Sequence, residues 1–304
     1  YVGKSADAGT SIFTMVTGTS NSDIPAFVSG FPVDFALARQ PATSESWSTN
    51  ARLLGTNQLK TDTDAVQGSD GDMTFDFNNG FFKNTSDMSA YQSWMWKRGT
   101  GFDCIAYKGD GVSGRQIRHS MNKAAEMIWV KDRDNTENWE VGHIGLNNGS
   151  SPWDYVISLN AQDEEQNSVN KWNDEAPTSS AFTVGTDING DGNNYIAMLF
   201  ASVDGISKVG YYAGSNSAQT ITTGFQPRFV IIRSTDEANW VVLDTTRGWA
   251  SGVDQYLKLN SSAAQDNTYD CGAPTSTGFT VSAASANSGL TNTAGLNYLY
   301  YAHA

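Results

Sequence analysis

The sequence predicts an all-β protein made of tandem antiparallel β-sandwich modules of the jelly-roll type. Short runs rich in Val, Ile, Phe, Tyr and Trp are separated by Gly, Asn, Asp and Ser clusters about every 8–15 residues, which is typical of sandwiches. No stretch of twelve or more residues shows apolar spacing at three and four, as a long amphipathic helix requires. The chain also repeats itself, with a period of about a hundred residues.

Repeated tryptophans and tyrosines define the period. Trp47, Trp139 and Trp240 each follow a run of the type found at residues 30–39, 121–131 and 224–233. Each copy closes on a tyrosine before a second apolar run, at Tyr91, Tyr195 and Tyr298. Since solenoid repeats span roughly 20–50 residues, we expect each copy to hold its own core as a small domain.

Three modules follow from these repeats. We predict a degenerate first module with an N-terminal extension at 1–99, a second module at 100–204 and a third at 205–304. Their arrangement, in a line or around a pseudo-threefold axis, stays open.

Local patterns predict several elements within the modules. Residues 155–159 and 239–244 have the composition of strands. The connection 187–194 is rich in Asn, Asp and Gly, and predicts a hairpin between 182–184 and 195–200. Helical signals are confined to a turn or two at 87–96 and 122–127.

Composition excludes several classes of protein. The formal net charge is −13 and basic runs are absent, which disfavours nucleic acid as a partner. The longest apolar runs, such as 127–130 and 229–232, are far shorter than the roughly 20 residues of a membrane helix. Cys104 and Cys271 lie far apart without a CxxC spacing, so neither zinc nor a disulfide framework is indicated. The chain begins with Tyr1, and we expect a processed product or a fragment.

The second and third copies carry a specific motif order. Its hallmark residues are Phe225, Pro227, Phe229, Arg233, Trp240 and Tyr298 in the third copy, with Lys131, Trp139, Pro177 and Tyr195 in the second. This order resembles the repeated β-rich modules of tail-fibre-like and other virion proteins of bacteriophages, marine phages among them. The resemblance covers 101–304 well and 30–98 loosely. It implies a part of the virion and no reaction.

Catalytic signals are weak. The three histidines, His119, His143 and His303, do not recur in register, and no Gly-x-Ser-x-Gly motif is present. The acidic run 163–165 is more typical of a solvated loop than of a pair of glycosidase carboxylates. We therefore expect a non-enzymatic protein without a cofactor.

The segment from Asp187 to Gly192 has two structural interpretations, a calcium-binding loop and a hairpin turn. Asp187, Asn189 and Asp191 have the oxygen-ligand spacing of a calcium loop, although Met198 stands where a bidentate Glu is expected. The alternative is a plain hairpin turn. The sequence does not decide between them, and no metal site is assigned.

Aromatic and basic residues give the binding candidates. Trp47, Trp139 and Trp240 precede apolar residues and are expected to pack in the interior. Trp153 and Trp249 lie in Gly- and Ser-rich loops, where exposed rings would stack on a sugar or pack against a neighbouring module or subunit.

A basic residue also recurs at a strand end. Arg39, Lys131 and Arg233 hold this position, and acidic residues follow them, namely Asp132, Asp134 and Asp236. A local ion pair or a guard at the sheet edge explains the pattern.

The sequence therefore predicts a non-enzymatic phage virion structural protein located at the particle surface, as a tail fibre, appendage or capsid-surface component. It would assemble with other virion subunits as a homo-oligomer, with attachment to a host-surface glycan as a further role. One alternative is a carbohydrate-binding receptor module that uses Trp153 and Trp249. Another is a polysaccharide depolymerase with close carboxylates in a cleft.

Overall fold

The computed structural model describes residues 8–20, 24–70, 73–82 and 87–304. Within these ranges the chain forms several antiparallel sheets, which confirms the all-β prediction. The α-helices there are short, α1 (Val169–Trp172) and α2 (Ala284–Asn287). None of the helices in the described ranges has the length and apolar character to span a membrane. Single 3₁₀ turns lie at Gly9–Ser11, Arg52–Leu54, Leu146–Gly149, Pro152–Asp154 and Thr186–Ile188.

The first segment, residues 8–96 where described, forms one main sheet and two short strand pairs. Its strands are β1 (Phe13–Thr17), β2 (Phe27–Val28), β3 (Phe35–Arg39), β4 (Ser48–Ala51), β5 (Asn57–Gln58), β6 (Gly68–Ser69), β7 (Gly80–Phe81) and β8 (Gln92–Trp96). The main sheet has the order β1-β8-β3-β4, and the pairs are β2 with β7 and β5 with β6.

The second segment, residues 102–200, has a larger main sheet and one outer pair. Its strands are β9 (Phe102–Lys108), β10 (Arg115–Arg118), β11 (Met127–Asp132), β12 (Glu140–His143), β13 (Tyr155–Ser158), β14 (Gln166–Asn167), β15 (Ala181–Val184) and β16 (Asn194–Phe200). The main sheet runs β9-β16-β11-β12-β13-β14, and β10 pairs with β15.

The third segment, residues 207–303, follows the same plan. Its strands are β17 (Ser207–Ala213), β18 (Gln219–Thr222), β19 (Phe229–Ser234), β20 (Val241–Asp244), β21 (Tyr256–Lys258), β22 (Pro274–Thr275), β23 (Gly278–Val281) and β24 (Asn297–His303). The main sheet runs β17-β24-β19-β20-β21, and the outer sheet β18-β23-β22. The strands predicted at 155–159 and 239–244 are therefore present, as β13 and β20.

The strand register aligns the repeated residues in space. Tyr195 lies opposite Asp132 and Tyr298 lies opposite Ser234, in each case one residue beyond the repeated basic residue. The last strand of every segment, β8, β16 or β24, sits between the first strand and the strand that carries that basic residue. The tyrosine and the basic residue thus occupy corresponding places in the second and third sheets.

The main sheets are covered on both faces. In β11, Met127 and Trp129 point into a large central cluster, while Ile128 and Val130 point into a cluster of the second segment alone. Successive side chains of a strand point to opposite faces, so a doubly covered strand is apolar throughout. This explains the unbroken apolar run 127–130, and the run 229–232 divides between two clusters in the same way.

The central cluster differs from the expectation of a separate core in each module. It contains buried residues of all three segments, among them Leu37, Met198 and Ile231. Each segment also has an outer cluster of its own, between the main sheet and the outer strands. The largest apolar interior is nevertheless shared.

The predicted hairpin between 182–184 and 195–200 is wrong. β15 pairs with β10, whereas β16 pairs with β9 and β11. The connection contains the 3₁₀ turn Thr186–Ile188, and Ile188 is buried in the outer cluster of the second segment. The chain therefore passes from the outer layer to the main sheet instead of reversing within one sheet.

The predicted helical turns are also wrong. Residues 92–96 form the buried strand β8, and Asn122 adopts a positive φ of 56°, which does not continue a helix. Both predicted regions, 87–96 and 122–127, lie entirely within the described residues.

Candidate functional site

Three tryptophans join the segments in a closed cycle. The indole Nε1–H of Trp47 donates to the backbone carbonyl of Lys258 at 2.9 Å, linking the first segment to the third. Trp139 donates to the carbonyl of Lys60 at 2.8 Å, and Trp240 to that of Ser158 at 3.0 Å. We call Trp47, Trp139 and Trp240 with these three carbonyls the tryptophan ring. Each segment gives one indole and receives one.

The backbone of each tryptophan is held in the same way. The amide N–H groups of Trp47, Trp139 and Trp240 donate to the side-chain Oδ1 of Asp62, Asn160 and Asn260 at 3.0, 2.8 and 3.0 Å. All three rings are buried, which confirms their predicted packing role. Trp139 and Trp240 therefore have equivalent environments, although the interior that they fill is common to the three segments.

Two of the three repeated basic residues, Arg39 and Arg233, act between segments, so the predicted local ion pair or edge guard is wrong for these two. Arg39 is fully buried and donates to the carbonyls of Ser261 and Ala263 in the third segment, at 3.2 and 2.9 Å. Its guanidinium lies 5.2 Å from the centroid of the Trp47 ring. The physical reason is that guanidinium donors satisfy several carbonyls at a chain crossing that water does not reach.

Arg233 repeats this arrangement one segment on. It is fully buried, donates to the carbonyls of Ser158 and Ala161 at 2.5 and 3.1 Å, and lies 5.4 Å from the Trp240 ring centroid. Burial lowers the pKa of Arg233 to about 10, against the opposite influence of Asp163. Two of the three basic residues thus bind the neighbouring segment beside a ring tryptophan.

Lys131 departs from the pattern. Its Nζ donates to the carbonyls of Asp132 and Asn135 in its own segment, at 2.6 and 3.1 Å. Burial lowers the pKa of the Lys131 ammonium. The contact to the first segment is made instead by Arg133, whose Nε donates to Oε1 of Gln67 at 3.0 Å.

Aromatic side chains from different segments contact one another in the central cluster. Phe13 lies 5.2 Å from Phe229, and Phe200 lies 4.8 Å from Tyr301, measured between ring centroids. Because a buried aromatic side chain contributes about 1.5–3 kcal/mol by its removal from water, the segments are held together mainly by this cluster.

The two tryptophans proposed for ligand binding are buried, so the exposure that the sequence suggested is wrong. Trp153 is 6% exposed and packs edge-to-face on Trp172 at 5.9 Å. Trp249 is 2% exposed and packs on Phe279 at 6.0 Å. Both rings fill the space beneath an outer layer, where the polar loops around them hide a large apolar surface. Neither ring face is available to a sugar.

The histidines are held by the fold. His143 is buried, its Nδ1 accepts the N–H of Gly145 at 2.9 Å, and its Nε2 lies 3.3 Å from the carbonyl oxygen of Tyr300. Burial lowers the pKa of His143 to about 4 and that of His303 to about 3. Both imidazoles are therefore neutral packing groups near neutral pH.

The carboxylates of 163–165 are engaged in structural contacts. Asp163 accepts from the hydroxyl of Ser158 at 2.6 Å and lies 3.5 Å from Arg233. Glu165 accepts the backbone N–H of Asn147 at 2.7 Å. The run is therefore more firmly anchored than a freely solvated loop.

The candidate calcium loop uses its ligands internally. The amide of the buried Asn189 donates to Asp110 at 2.6 Å and to the carbonyl of Val112 at 2.9 Å, while Asp187 lies 3.5 Å from Lys171. In the parts of the chain that the structure describes, no group of three or more His, Cys, Asp or Glu residues is placed to hold a metal.

A cleft of about 580 Å³ opens in the first segment, between the main sheet and the outer strands β2 and β7. We call it the first-segment cleft. Its apolar lining residues include Phe27, Met73, Phe81, Phe82 and Met88. Its polar wall contains Glu45, Ser46, Ser48, Gln58, Lys60, Asp70, Asp87 and Tyr91.

The sequence analysis did not predict this cleft, because its lining residues come from stretches far apart in the least regular copy. One signal was present. Glu45 precedes Trp47 by two residues, as Glu137 precedes Trp139, whereas the third copy has Ala238 at that place.

Comparison with known proteins adds a family. The family model described as "Domain of unknown function (DUF7483)" matches residues 83–304. No curated protein and no solved structure was found to match the chain. The matched region begins before β8 and contains the second and third segments in full.

Proposed function

Since the chain belongs to the DUF7483 family, whose domain has no known function, we propose that it is a non-enzymatic structural protein of a bacteriophage virion, carried at the particle surface in a tail fibre, an appendage or the capsid. Two observations support this proposal. The motif order of the second and third copies resembles virion modules, and the tryptophan ring closes the three segments on one another. The proposal depends mainly on the second observation, the tryptophan ring.

The ring suits a mechanical role. Each segment is fixed to both others by an indole–carbonyl hydrogen bond and by the shared aromatic cluster. Relative motion of segments is expected when their interface is small and polar. Here the interface is the largest apolar cluster of the described residues, so we expect the three segments to move together as one body.

The role also fits the surface chemistry. A net charge of −13 favours the solubility of an extracellular protein and disfavours the binding of nucleic acid. We propose that many copies assemble with other virion subunits, so that weak contacts act together through avidity.

The proposal is tested on purified particles. An antibody against the recombinant chain should label intact particles in negative-stain electron microscopy, and mass spectrometry should find the chain in stoichiometric amount after density-gradient purification. Recovery of the chain only in the soluble fraction of the lysate would overturn the proposal. A particle protein that is always present serves as the matched control for both measurements.

The two alternatives make different predictions. A depolymerase should release reducing ends from a host polysaccharide, and the proposed structural role expects none. A carbohydrate-binding module that uses Trp153 and Trp249 needs exposed rings, and both are buried. If the protein binds glycans, the binding residues lie elsewhere.

A further inference from the structure

The first-segment cleft has the size and wall chemistry of a small-ligand site. We propose that it binds a neutral saccharide. Its volume of about 580 Å³ falls within the roughly 300–1,000 Å³ of small-molecule sites. This inference goes beyond the proposed function, because it depends on the cleft and not on the particle.

The polar wall is oriented before any ligand arrives. Glu45 accepts the backbone N–H of Gln40 through Oε1, and the hydroxyl of Tyr91 through Oε2 at 3.3 Å. Gln58 accepts the hydroxyl of Ser48 at 2.8 Å through its side-chain oxygen. These bonds fix a carboxylate acceptor and an amide whose two N–H donors have no partner among the residues that the structure describes.

A third group completes the set. Lys60 is exposed, and its ammonium is unpaired within the described ranges. The cleft therefore offers both donors and acceptors together with apolar lining residues that include Phe82 and Met88. A sugar presents the complementary surface, because every hydroxyl both donates and accepts and the ring has apolar C–H faces.

Charge selects among polar ligands. Among the described lining residues, the carboxylates of Glu45 and Asp87 outnumber the ammonium of Lys60, and the whole chain is acidic, so an anionic ligand would be repelled. A cationic ligand would meet the Lys60 ammonium and would leave the donors of Gln58 without acceptors. A neutral ligand satisfies both kinds of group.

The corresponding place is smaller in the second segment and is filled by side chains in the third. Ser48 lies opposite Ala38 in the first sheet, as Glu140 lies opposite Val130 in the second. Lys171 there binds Glu140 at 2.8 Å and also reaches Asp187, and the remaining polar cavity is only about 240 Å³. In the third segment, buried Trp249 and Phe279 fill the space between the main and outer sheets.

The family match separates the cleft from the shared domain. The lining residues other than Asp87, Met88 and Tyr91 precede residue 83, where the match begins. The cleft is thus built mostly from the part of this chain that lies outside the family's domain, as expected for a site that serves this protein in particular.

The experiment uses the full chain on an array of immobilised neutral, sialylated and sulfated oligosaccharides. We expect binding to neutral members only. Glu45→Gln and Gln58→Ala should each weaken binding at least about tenfold, which corresponds to the loss of one hydrogen bond of about 1.4 kcal/mol. Ser46→Trp should abolish binding, because an indole at the half-buried rim fills the cleft.

The matched control is Glu137→Gln, the same change at the equivalent place in the second segment, and it should leave binding unchanged. Lys60→Ala is a further variant of the cleft. It should keep the fold, because the indole of Trp139 donates to the backbone carbonyl of Lys60, which this substitution retains. Thermal unfolding of each variant shows that it is folded.

Four outcomes overturn the inference: no neutral glycan bound by the unmodified chain, binding confined to sialylated or sulfated glycans, full binding by a folded Ser46→Trp variant, or an equal loss in Glu137→Gln. None of these outcomes bears on whether the chain is found in particles, so the virion proposal is judged separately.

Discussion

Trp47 donates its indole hydrogen to the backbone carbonyl of Lys258, a residue 211 positions later, and so joins the first segment of the chain to the third. The other two ring tryptophans make the equivalent bond from the second segment to the first and from the third to the second. In a linear row of modules, the first and third modules would not touch each other. In this chain the first and third segments are in direct contact.

Trp47→Phe tests the indole hydrogen bond. The ring stays apolar, but the carbonyl of Lys258 loses its donor, and we expect a loss of about 1–3 kcal/mol in the free energy of unfolding. Trp172→Phe is the matched control, since the buried Nε1 of Trp172 has no hydrogen-bond partner. Urea denaturation of both variants gives the difference. Equal losses would contradict a role for the bond.

The shared core predicts a single unfolding transition. Since the largest apolar cluster draws on all three segments, no segment should unfold while the others stay folded. Differential scanning calorimetry should give one peak, with calorimetric and van't Hoff enthalpies in agreement. Resolved peaks, or a stable isolated 205–304 fragment, would show that the modules are independent.

Gly145→Ala probes the contact between the second and third segments. An added Cβ would lie 2.5 Å from Cβ of Tyr211 and 2.7 Å from Cδ2 of Leu299, while the φ of −94° suits any residue. We expect a cost of about 1–3 kcal/mol from overpacking. Gly68→Ala is the control, because open space surrounds its Cβ position. Identical denaturation midpoints for the two variants would contradict the close packing.

His143 predicts acid sensitivity. Its pKa falls from 6.5 to about 4 on folding because it is buried, so between these values the unfolded chain binds a proton that the folded chain does not. The resulting stability is complete above pH 6.5 and is lost as the pH falls to about 4, by up to about 3 kcal/mol.

The variant His143→Gln should show a shallower fall in unfolding free energy between pH 6.5 and 4. His119→Gln, at a half-exposed histidine, should keep most of the slope. The measurement is urea denaturation across this pH range, and parallel curves for His143→Gln and the unmodified chain would refute the assignment.

Trp249→Ala separates packing from binding. The ring is buried against Phe279, so its removal should cost about 3–5 kcal/mol in stability, as for other large core deletions. The folded fraction should bind glycans as the unmodified chain does. A loss of binding without a loss of stability would restore this tryptophan as a ligand residue.

Pattern alone determined the all-β class, the interior place of Trp47, Trp139 and Trp240, and the strands at 155–159 and 239–244, because apolar runs and turn residues act locally. The same patterns did not determine which strands pair with each other. The segment 182–184 pairs with β10, and the chain then passes to the main sheet through a turn that contains the buried Ile188, a crossing that local periodicity does not record.

Only the tertiary structure decided how the copies meet and what the loop residues do. The runs 127–130 and 229–232 are apolar because both faces of their strands are covered, but a sequence does not say whether the second cover belongs to the same module or to a neighbour. The same holds for Arg39 and Arg233, whose acceptors are carbonyls far along the chain, and for Trp153 and Trp249, which polar loops conceal. Burial and long-range hydrogen bonding depend on which surfaces the folded chain brings together, and that is a property of the assembled core.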